Sequence, residues 1–331
     1  MKRYGNLFDE IVNTHNLYLA AKKAFRGKKS KEAVALFYFN LENEILRMKR
    51  ELTDGTYCPQ KYTVFKIYEP KERRICCADI YDRVVHLAVT NVLHPIFERR
   101  LIDETHACRL GKGPHAALKR SQRLVKKYDF YLKCDIQKYF ESIDHKALKS
   151  LIRKIFKDKR LIDLFDKIIS HKPPYTEPGK GLPIENLTSQ HLANIYLGEL
   201  DFFIKHRLRC KGYIRYMDDF ILFSNDKTKL RSYLEKIRLF ISTKLKLRLK
   251  EKVVKIAPVS EGLPFLGYRI FRGLIRLQRG NLIRFRKKVR KLEKRYLKGE
   301  IDESDLINSM RSVIVHVSHG NTKNLRGTVF G

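Results

Sequence analysis

Apolar positions along the chain switch repeatedly between a helical period and a strand period. Leu41, Ile45, Met48 and Leu52 recur at helical spacing before Gly55, which predicts a helix over 40–53. Residues 62–68 alternate as a strand, turn at Glu69-Pro70-Lys71-Glu72-Arg73-Arg74, and resume as a strand over 75–78. Val84, Val85, Ala88, Val89 and Val92 stripe a helix from Asp82, which Pro95 disturbs before Ile96 and Phe97 resume it. A basic helix is expected over 116–127, then a strand over 131–134 that delivers Asp135 at its end. Asp144 caps a helix carrying Leu148, Leu151, Ile152 and Ile155. A Gly/Pro loop from Pro178 runs into a helix near Thr188 or Ser189, with Leu192, Ile195 and Tyr196 inward. Two strands, 213–217 and 220–223, flank Asp218 and Asp219, which the pattern places in a tight turn. A basic helix over 228–248, a hairpin over 262–270 and a second basic helix over 281–298 follow. The first 30 residues read as a short helix and a basic loop, and the last 30 or so as helical up to the closing glycines. Mixed strands and helices without repeats define an α+β class.

Charge narrows the function. The 331 residues carry 70 Lys and Arg against 36 Asp and Glu, a formal net charge of +34. Such a chain repels itself until it binds a polyanion, and nucleic acid is the leading partner. An anionic membrane surface is the rival, but no apolar run reaches the roughly 18 residues that span a bilayer. The amino terminus leads into Asp9 and Glu10 rather than an apolar signal core. Six cysteines without a C-x-x-C pair, and histidines without an H-x-x-x-H cluster, predict reduced thiols, no zinc site and a cytoplasmic protein.

The chemistry centres on Asp218 and Asp219. Two adjacent carboxylates between apolar strands repel each other unless a cation sits between them, and hard oxygen ligands suit Mg²⁺. The pair is thus a candidate half of a two-metal phosphoryl-transfer site; taken alone it is equally an acidic turn between core strands. Asp135 at a strand end completes such a cage or simply starts a helix. The turn bearing Lys71, Arg73 and Arg74 offers cations to triphosphate oxygens, or is a solvated basic turn. The Gly-rich segment 107–115 lacks the spacing of a P-loop. Around Phe285, Val289, Leu292 and Tyr296 cluster Arg284, Lys287, Lys288, Lys291 and Arg295, among other cations. Like charges at that density weaken an isolated helix and make sense against a phosphate backbone.

Taken in order, these stretches resemble reverse transcriptases. Asp135 with Phe140 resembles motif A, Gly181 to Gln190 motif B, and Tyr216-Met217-Asp218-Asp219 the Y-x-D-D box. Phe265-Leu266-Gly267-Tyr268 resembles the primer-grip hairpin, and Lys71 with Arg73 the fingers element that holds a triphosphate. The resemblance implies a right-hand polymerase: fingers over 1–130 with part of 145–180, palm over 131–270, and a basic helical thumb over 271–331. It implies two Mg²⁺ ions, replaceable by Mn²⁺, at Asp135, Ile136, Asp218 and Asp219. Lys71, Arg73, Arg74, Phe140, Ile184, Gln190 and Lys252 would surround the nucleotide, with Phe140 against a ribose 2′-hydroxyl. Tyr216, Met217, the grip hairpin and the thumb cations would hold primer and template.

Within that superfamily, Ile184-Glu185-Asn186-Leu187-Thr188-Ser189-Gln190 is similar to the I-G-x-x-x-S-Q signature of diversity-generating retroelement enzymes, with Glu185 departing from the usual Gly. Asp82-Arg83-Val84-Val85-His86 and Ala107-Cys108-Arg109 also look like that family. It implies copying of a template RNA, from deoxynucleoside triphosphates, into adenine-mutagenised cDNA that diversifies a target gene. An oligomeric accessory variability protein is the implied partner. Retron-like and antiphage reverse transcriptases are alternatives. Group II intron proteins carry a further maturase segment for which the chain length leaves little room. A non-enzyme alternative is an RNA-binding scaffold on an inactive polymerase fold.

Overall fold

The computed structural model describes residues 3–27, 32–68, 72–184, 186–323 and 327, without the side chain of His316. Helices α1 (Phe8–Ile11), α2 (Thr14–Phe25), α3 (Glu32–Phe39) and α4 (Leu41–Thr53) precede a hairpin of β1 (Thr63–Ile67) and β2 (Arg73–Cys77). Helices α5 (Ile80–Arg100) and α6 (Pro114–Lys127) lead to β3 (Phe130–Cys134), followed by α7 (Tyr139–Ser142), α8 (His145–Ile155), α9 (Lys159–Ser170) and α10 (Leu187–Phe202). Strands β4 (Gly212–Tyr216) and β5 (Asp219–Ser224) form the acidic hairpin, and α11 (Lys227–Lys244) follows. The carboxyl-terminal part holds β6 (Lys255–Pro258), β7 (Leu263–Phe265), β8 (Tyr268–Ile270), β9 (Ile275–Leu277), α12 (Arg279–Leu297) and α13 (Glu303–Ser318). The α+β class is borne out. No described helix is long and apolar enough to cross a membrane.

The chain forms two compact units. The first comprises residues 1–103, 136–207 and 236–250. Its core is helical: α2 and α10 both pack on α5, whose Val84, Val85, Ala88, Val89 and Leu93 are wholly buried. Pro95 lies inside α5 without ending it, because burial along the helix outweighs one missing amide hydrogen bond. Helix α10 is buried over most of its surface, and its buried residues include the polar Thr188, Ser189, His191, Asn194 and Asp201 as well as apolar ones. Its companions α8 and α9 start at Asp144 and Asp158, whose side chains accept from the amides of Ala147 and Leu161. Arg73 and Arg74, expected in a turn, are exposed strand residues opposite Ile67 and Lys66 in the β1–β2 ladder. Helices α3 and α9 had no separate place in the sequence pattern.

The second unit comprises residues 104–135, 208–235 and 251–331. Its four-stranded antiparallel sheet has the order β4-β5-β3-β6. Phe220, Ile221, Leu222 and Phe223 of the central strand are all buried, so both faces of that strand are covered. One face, with Tyr131, Ile214, Ile221, Phe223 and Ala257, shares a core with α6 and with the small sheet β7-β8-β9. The outer edge of β4 does not end in open ladder groups. The Arg215 amide donates to the Glu104 carbonyl and the His106 amide donates to the Arg215 carbonyl, both at 3.0 Å. Phe285, Val289 and Leu292 of α12 pack with Val313 and Val317 of α13, leaving the basic residues of α12 outside.

Candidate active site

The acids are assembled by strand register. Tyr216 pairs with Asp219, so the turn is Met217-Asp218 and Asp219 is the first residue of β5 rather than a turn residue. Met217 adopts the left-handed backbone (φ 55°) that a two-residue hairpin favours at its first turn position. For a side chain with a Cβ this is strained, and it persists because neighbours hold it. Arg215 is one such neighbour: its guanidinium, fully buried, donates through Nη1 to the Met217 carbonyl at 2.9 Å.

Cys134 pairs with Phe220, and continuing the antiparallel register by one residue sets Asp135 opposite Asp219. Directly opposed residues point to the same face of a sheet, so both carboxylates leave from one face. Lys133, two residues before Asp135, shares that face and is the diagonal neighbour of Asp219. Its ammonium contacts both Asp219 oxygens, at 2.6 Å from Oδ1 and 2.5 Å from Oδ2. The same ammonium lies 5.6 Å from the centre of the Phe265 ring on β7. Burial pushes the Asp219 carboxyl above the usual carboxylate range; Lys133 pulls it back down and the nearby Asp135 charge adds to the rise.

These acids are hard oxygen donors of the kind a divalent cation takes. Asp135, Asp218 and Asp219 are partly exposed hard oxygen ligands on one hairpin and its neighbouring strand. A lysine ammonium already serves as the positive partner of one of them. Among the described residues no group of three or more His, Cys, Asp or Glu is placed to hold a metal ion without further ligands. An open carboxylate set is the form a Mg²⁺ site takes when substrate phosphates and water supply the other ligands.

The second unit also carries the β7–β8 hairpin that resembles a primer grip. Leu266 and Gly267 form its turn, both left-handed (φ 48° and 84°). The Gly267 carbonyl accepts from the Gln278 amide at 3.0 Å and from Asn281 Nδ2 at 2.8 Å, which ties the start of α12 to the turn. Phe265 and Tyr268 are buried core residues rather than free aromatic contacts. Lys252 is exposed in a short 3₁₀ turn, Glu251–Val253. Lys287, Lys291 and Arg295 line a groove along α12 together with Arg290, Lys294 and Lys298. Arg284 and Lys288 are exposed on the same helix.

The first unit carries the other candidates. Ile136 is buried and its backbone bridges to Leu249. Half-buried Phe140 belongs to α7, and its carbonyl accepts from the Leu182 amide at 2.8 Å. The Gly181 amide likewise donates to the Ile143 carbonyl at 2.9 Å, so the loop before α10 is stitched to the motif A turn. Ile184 is half-buried, and its carbonyl accepts from Gln190 Nε2 at 3.4 Å. Lys71 and Glu185 lie outside the described residues.

Three residues had no role assigned in the sequence reading: Lys133, Arg215 and His86, the last named there only within the segment 82–86. His86 of α5 is buried. Its Nδ1 lies 2.7 Å from Thr188 Oγ1 and its Nε2 lies 3.3 Å from Asn186 Nδ2, the two polar side chains that open α10. Burial, with the nearby His171, pulls His86 down to about 4. For Lys133 a signal existed, since the i, i+2 spacing to Asp135 puts it on the acidic face. For Arg215 and His86 the polar partners come from distant segments.

Residues 64–270 match the family "Reverse transcriptase (RNA-dependent DNA polymerase)". That is well over half of the chain, and the chain belongs to this family of RNA-directed DNA polymerases, whose members use divalent metal ions. Among curated relatives, the "Group II intron-encoded protein LtrA" of Lactococcus lactis subsp. cremoris is 28% identical over 330 aligned positions, covering 79% of this chain and 54% of that protein. "Protein YkfC" of Escherichia coli (strain K12) is 25% identical over 280 positions, covering 69% of this chain and 71% of that one. A shorter match, 32% identical over 129 positions, is to an "Uncharacterized 91 kDa protein in cob intron" of Schizosaccharomyces pombe. The chain spans about half the length, 54%, of the Lactococcus relative. The Lactococcus relative is of the group II intron type that chain length had argued against.

Proposed function

We propose that the chain is a reverse transcriptase that copies a template RNA into cDNA, with its chemistry at Asp135, Asp218 and Asp219. The observation that carries this is the register that sets Asp135 opposite Asp219, one residue from Asp218 in the turn. In this reading the β4–β5 and β3 region is the palm, the helical first part with the β1–β2 hairpin the fingers, and α12 with α13 the thumb. The primer 3′-hydroxyl attacks the α-phosphate of a deoxynucleoside triphosphate, and pyrophosphate leaves as the bond to the α-phosphate breaks. Two Mg²⁺ ions, with Mn²⁺ able to substitute, would lower the cost of the developing charge. Asp135 and Asp218 would hold them, with Asp219 assisting; Lys71, Arg73, Arg74 and Lys252 would bind phosphate oxygens; Phe140 would exclude a 2′-hydroxyl; Ile184 and Gln190 would border the nascent pair.

Asp135→Asn and Asp218→Asn test this. Each variant keeps its fold by circular dichroism and loses primer extension with Mg²⁺. Near-normal extension by either removes the assignment and favours an RNA-binding scaffold.

The subclass we favour is the diversity-generating retroelement, on the resemblance of Ile184 to Gln190. An apolar Ile184 offers no hydrogen bond to the pair being formed, which weakens discrimination. Ile184→Gln therefore lowers misincorporation opposite template adenine, read by sequencing the cDNA. The similarity to group II intron-encoded proteins supports a second reading, in which the parent enzyme is faithful at adenine and Ile184→Gln changes nothing. A basic accessory protein and a cytoplasmic site of action complete the first reading. All six cysteines are free thiols, as a reducing compartment keeps them. Co-purification after nuclease treatment, at low and high salt, separates an apolar protein contact from an RNA bridge.

A further inference from the structure

We infer that the first unit carries an anion site for a compact polyphosphate, the chemistry shared by inorganic pyrophosphate and the triphosphate tail of a nucleotide. The site is a cleft of about 450 Å³ between the turn 137–142, the loop 175–180 and the segment 246–248. That volume is within the range of small-ligand sites. None of the three candidate acids lines it. Lys138, Lys180, Lys246 and Arg248 do, against two acids, Glu141 and Glu177. Each of these acids has a lysine of its own: Lys138 lies 3.7 Å from Glu141, and Lys180 lies 2.7 Å from Glu177. Lys246 and Arg248 are exposed and, among the described residues, enter no ion pair. They are the uncompensated charge of the cleft.

The backbone aims these cations. Leu245, Leu247 and Leu249 are buried while Lys246 and Arg248 between them are exposed, so the alternation sends both cations to one side. The Gln137 amide donates to the Arg248 carbonyl at 2.9 Å, and the backbone of Ile136 bridges to Leu249. The segment is thus locked to the turn that bears Lys138. Lys138 and Lys246 are both left-handed (φ 45° and 54°), which costs energy for a residue with a Cβ. The third wall is fixed as well. The Tyr175 hydroxyl donates to the Arg74 carbonyl at 3.0 Å, and the His145 amide donates to the Gly179 carbonyl at 2.9 Å. Cations held near one another in fixed positions repel, and a bound anion relieves the repulsion. An Arg fork beside lysine ammonium groups suits phosphate oxygens. Because the cations converge from three segments on one small cleft, a short, multiply charged anion reaches them together. A nucleic-acid backbone presents its charges singly along a line.

The site stands whether or not the acids hold metal, and the test keeps the two apart. Isothermal titration calorimetry of the full chain uses inorganic pyrophosphate, and separately adenosine triphosphate, at neutral pH and about 0.15 M salt with a chelator present. Lys246→Asn combined with Arg248→Gln removes both free cations, and Asn tolerates the left-handed backbone; pyrophosphate affinity falls about tenfold. Glu177→Gln releases Lys180 and raises the affinity about threefold. A merely structural role would not move binding in both directions. Asp135→Asn, and Lys287→Ala combined with Lys291→Ala on α12, bind pyrophosphate like the parent. If the double variant at 246 and 248 also weakens adenosine triphosphate, a nucleotide tail shares the site; if not, the occupant is free pyrophosphate. Unchanged pyrophosphate binding in that variant overturns the inference, and weakened binding of single-stranded RNA alongside it makes the cleft a nucleic-acid contact. An equal loss in the α12 variant, which spreads the anion over the basic surface, or in Asp135→Asn, which puts it at the acids, also overturns it. Should the double variant be insoluble, Glu177→Gln decides alone, and no gain in affinity overturns the inference.

Discussion

Acid should loosen the first unit through His86, and the size of the effect can be worked from its surroundings. His86 is buried on α5, where burial and His171 pull it from 6.5 to about 4. A folded-state value below the unfolded one means the unfolded chain binds the proton more readily. The stability tied to the neutral ring is therefore complete above about pH 6.5 and is lost as pH falls from 6.5 toward 4. At pH 5 the loss is about 2 kcal/mol, and it approaches about 3 kcal/mol below pH 4. His191 on α10 is likewise held at about 4 by burial and His94, and contributes a similar loss. Asp82 works in the other direction. Burial raises it to about 6, against hydrogen bonds from Tyr57 and the Gln60 amide, so the folded state takes up a proton sooner and gains about 1 kcal/mol between pH 7 and 5. For these three groups together the expected loss between pH 7 and pH 5 is about 2 kcal/mol.

His86→Gln separates the ring from the rest. Urea unfolding followed by far-ultraviolet circular dichroism at pH 7 and pH 5 gives four stabilities. The substitution should shrink the difference between the two pH values by about 2 kcal/mol, whatever it costs at pH 7. If His86→Gln loses as much on acidification as the parent, His86 is not neutral and buried in the folded state. The same ring holds Asn186 and Thr188 at the start of α10. Acid should thus disturb the start of α10 before it unfolds the unit.

Three further outcomes are expected. Gly212→Ala should destabilise the β4–β5 hairpin by about 2 kcal/mol in a thermal melt, because a Cβ there meets Phe223 Cβ and the Tyr128 ring at 2.8 Å and the Phe223 carbonyl at 2.9 Å. Phe140→Ala should raise ribonucleotide incorporation relative to deoxyribonucleotide about tenfold or more in single-nucleotide extension; an unchanged ratio removes Phe140 from sugar selection. Replacing Lys287, Lys288 and Lys291 together by alanine should lower the slope of log affinity for an RNA–DNA duplex against log salt by about 2 to 3. An unchanged slope would mean that α12 does not meet the phosphate backbone.

Much of the palm-like sheet was legible because its signals are local. Strand period, a two-residue turn and an acid at a strand end are all visible within a dozen positions of Asp135 or Asp218. The motif order then tied those pieces to one family, which the match over 64–270 establishes. The errors were also local. Asp219 went into the turn because Asp is a good turn residue, whereas the Tyr216–Asp219 pair makes Met217, an unusual left-handed residue, half of it. Arg73 and Arg74 read as part of the turn that begins at Glu69-Pro70, yet they open β2, whose first two residues are exposed like all of β1 and need no apolar alternation.

What escaped is the polar chemistry that folding creates between distant segments. Lys133 and Asp219 are far apart in sequence and meet only because β3 and β5 are adjacent and in one register. Arg215 steadies the Met217 carbonyl from inside the core, where a lone Arg in a strand reads as a surface residue. His86 bonds two side chains about a hundred positions away. Each is a buried polar group that must be satisfied, and each finds its partner only in the fold. The candidate acids announce themselves by type and spacing. Buried polar partners are chosen by the fold, so the first place to look for them is among its buried charges.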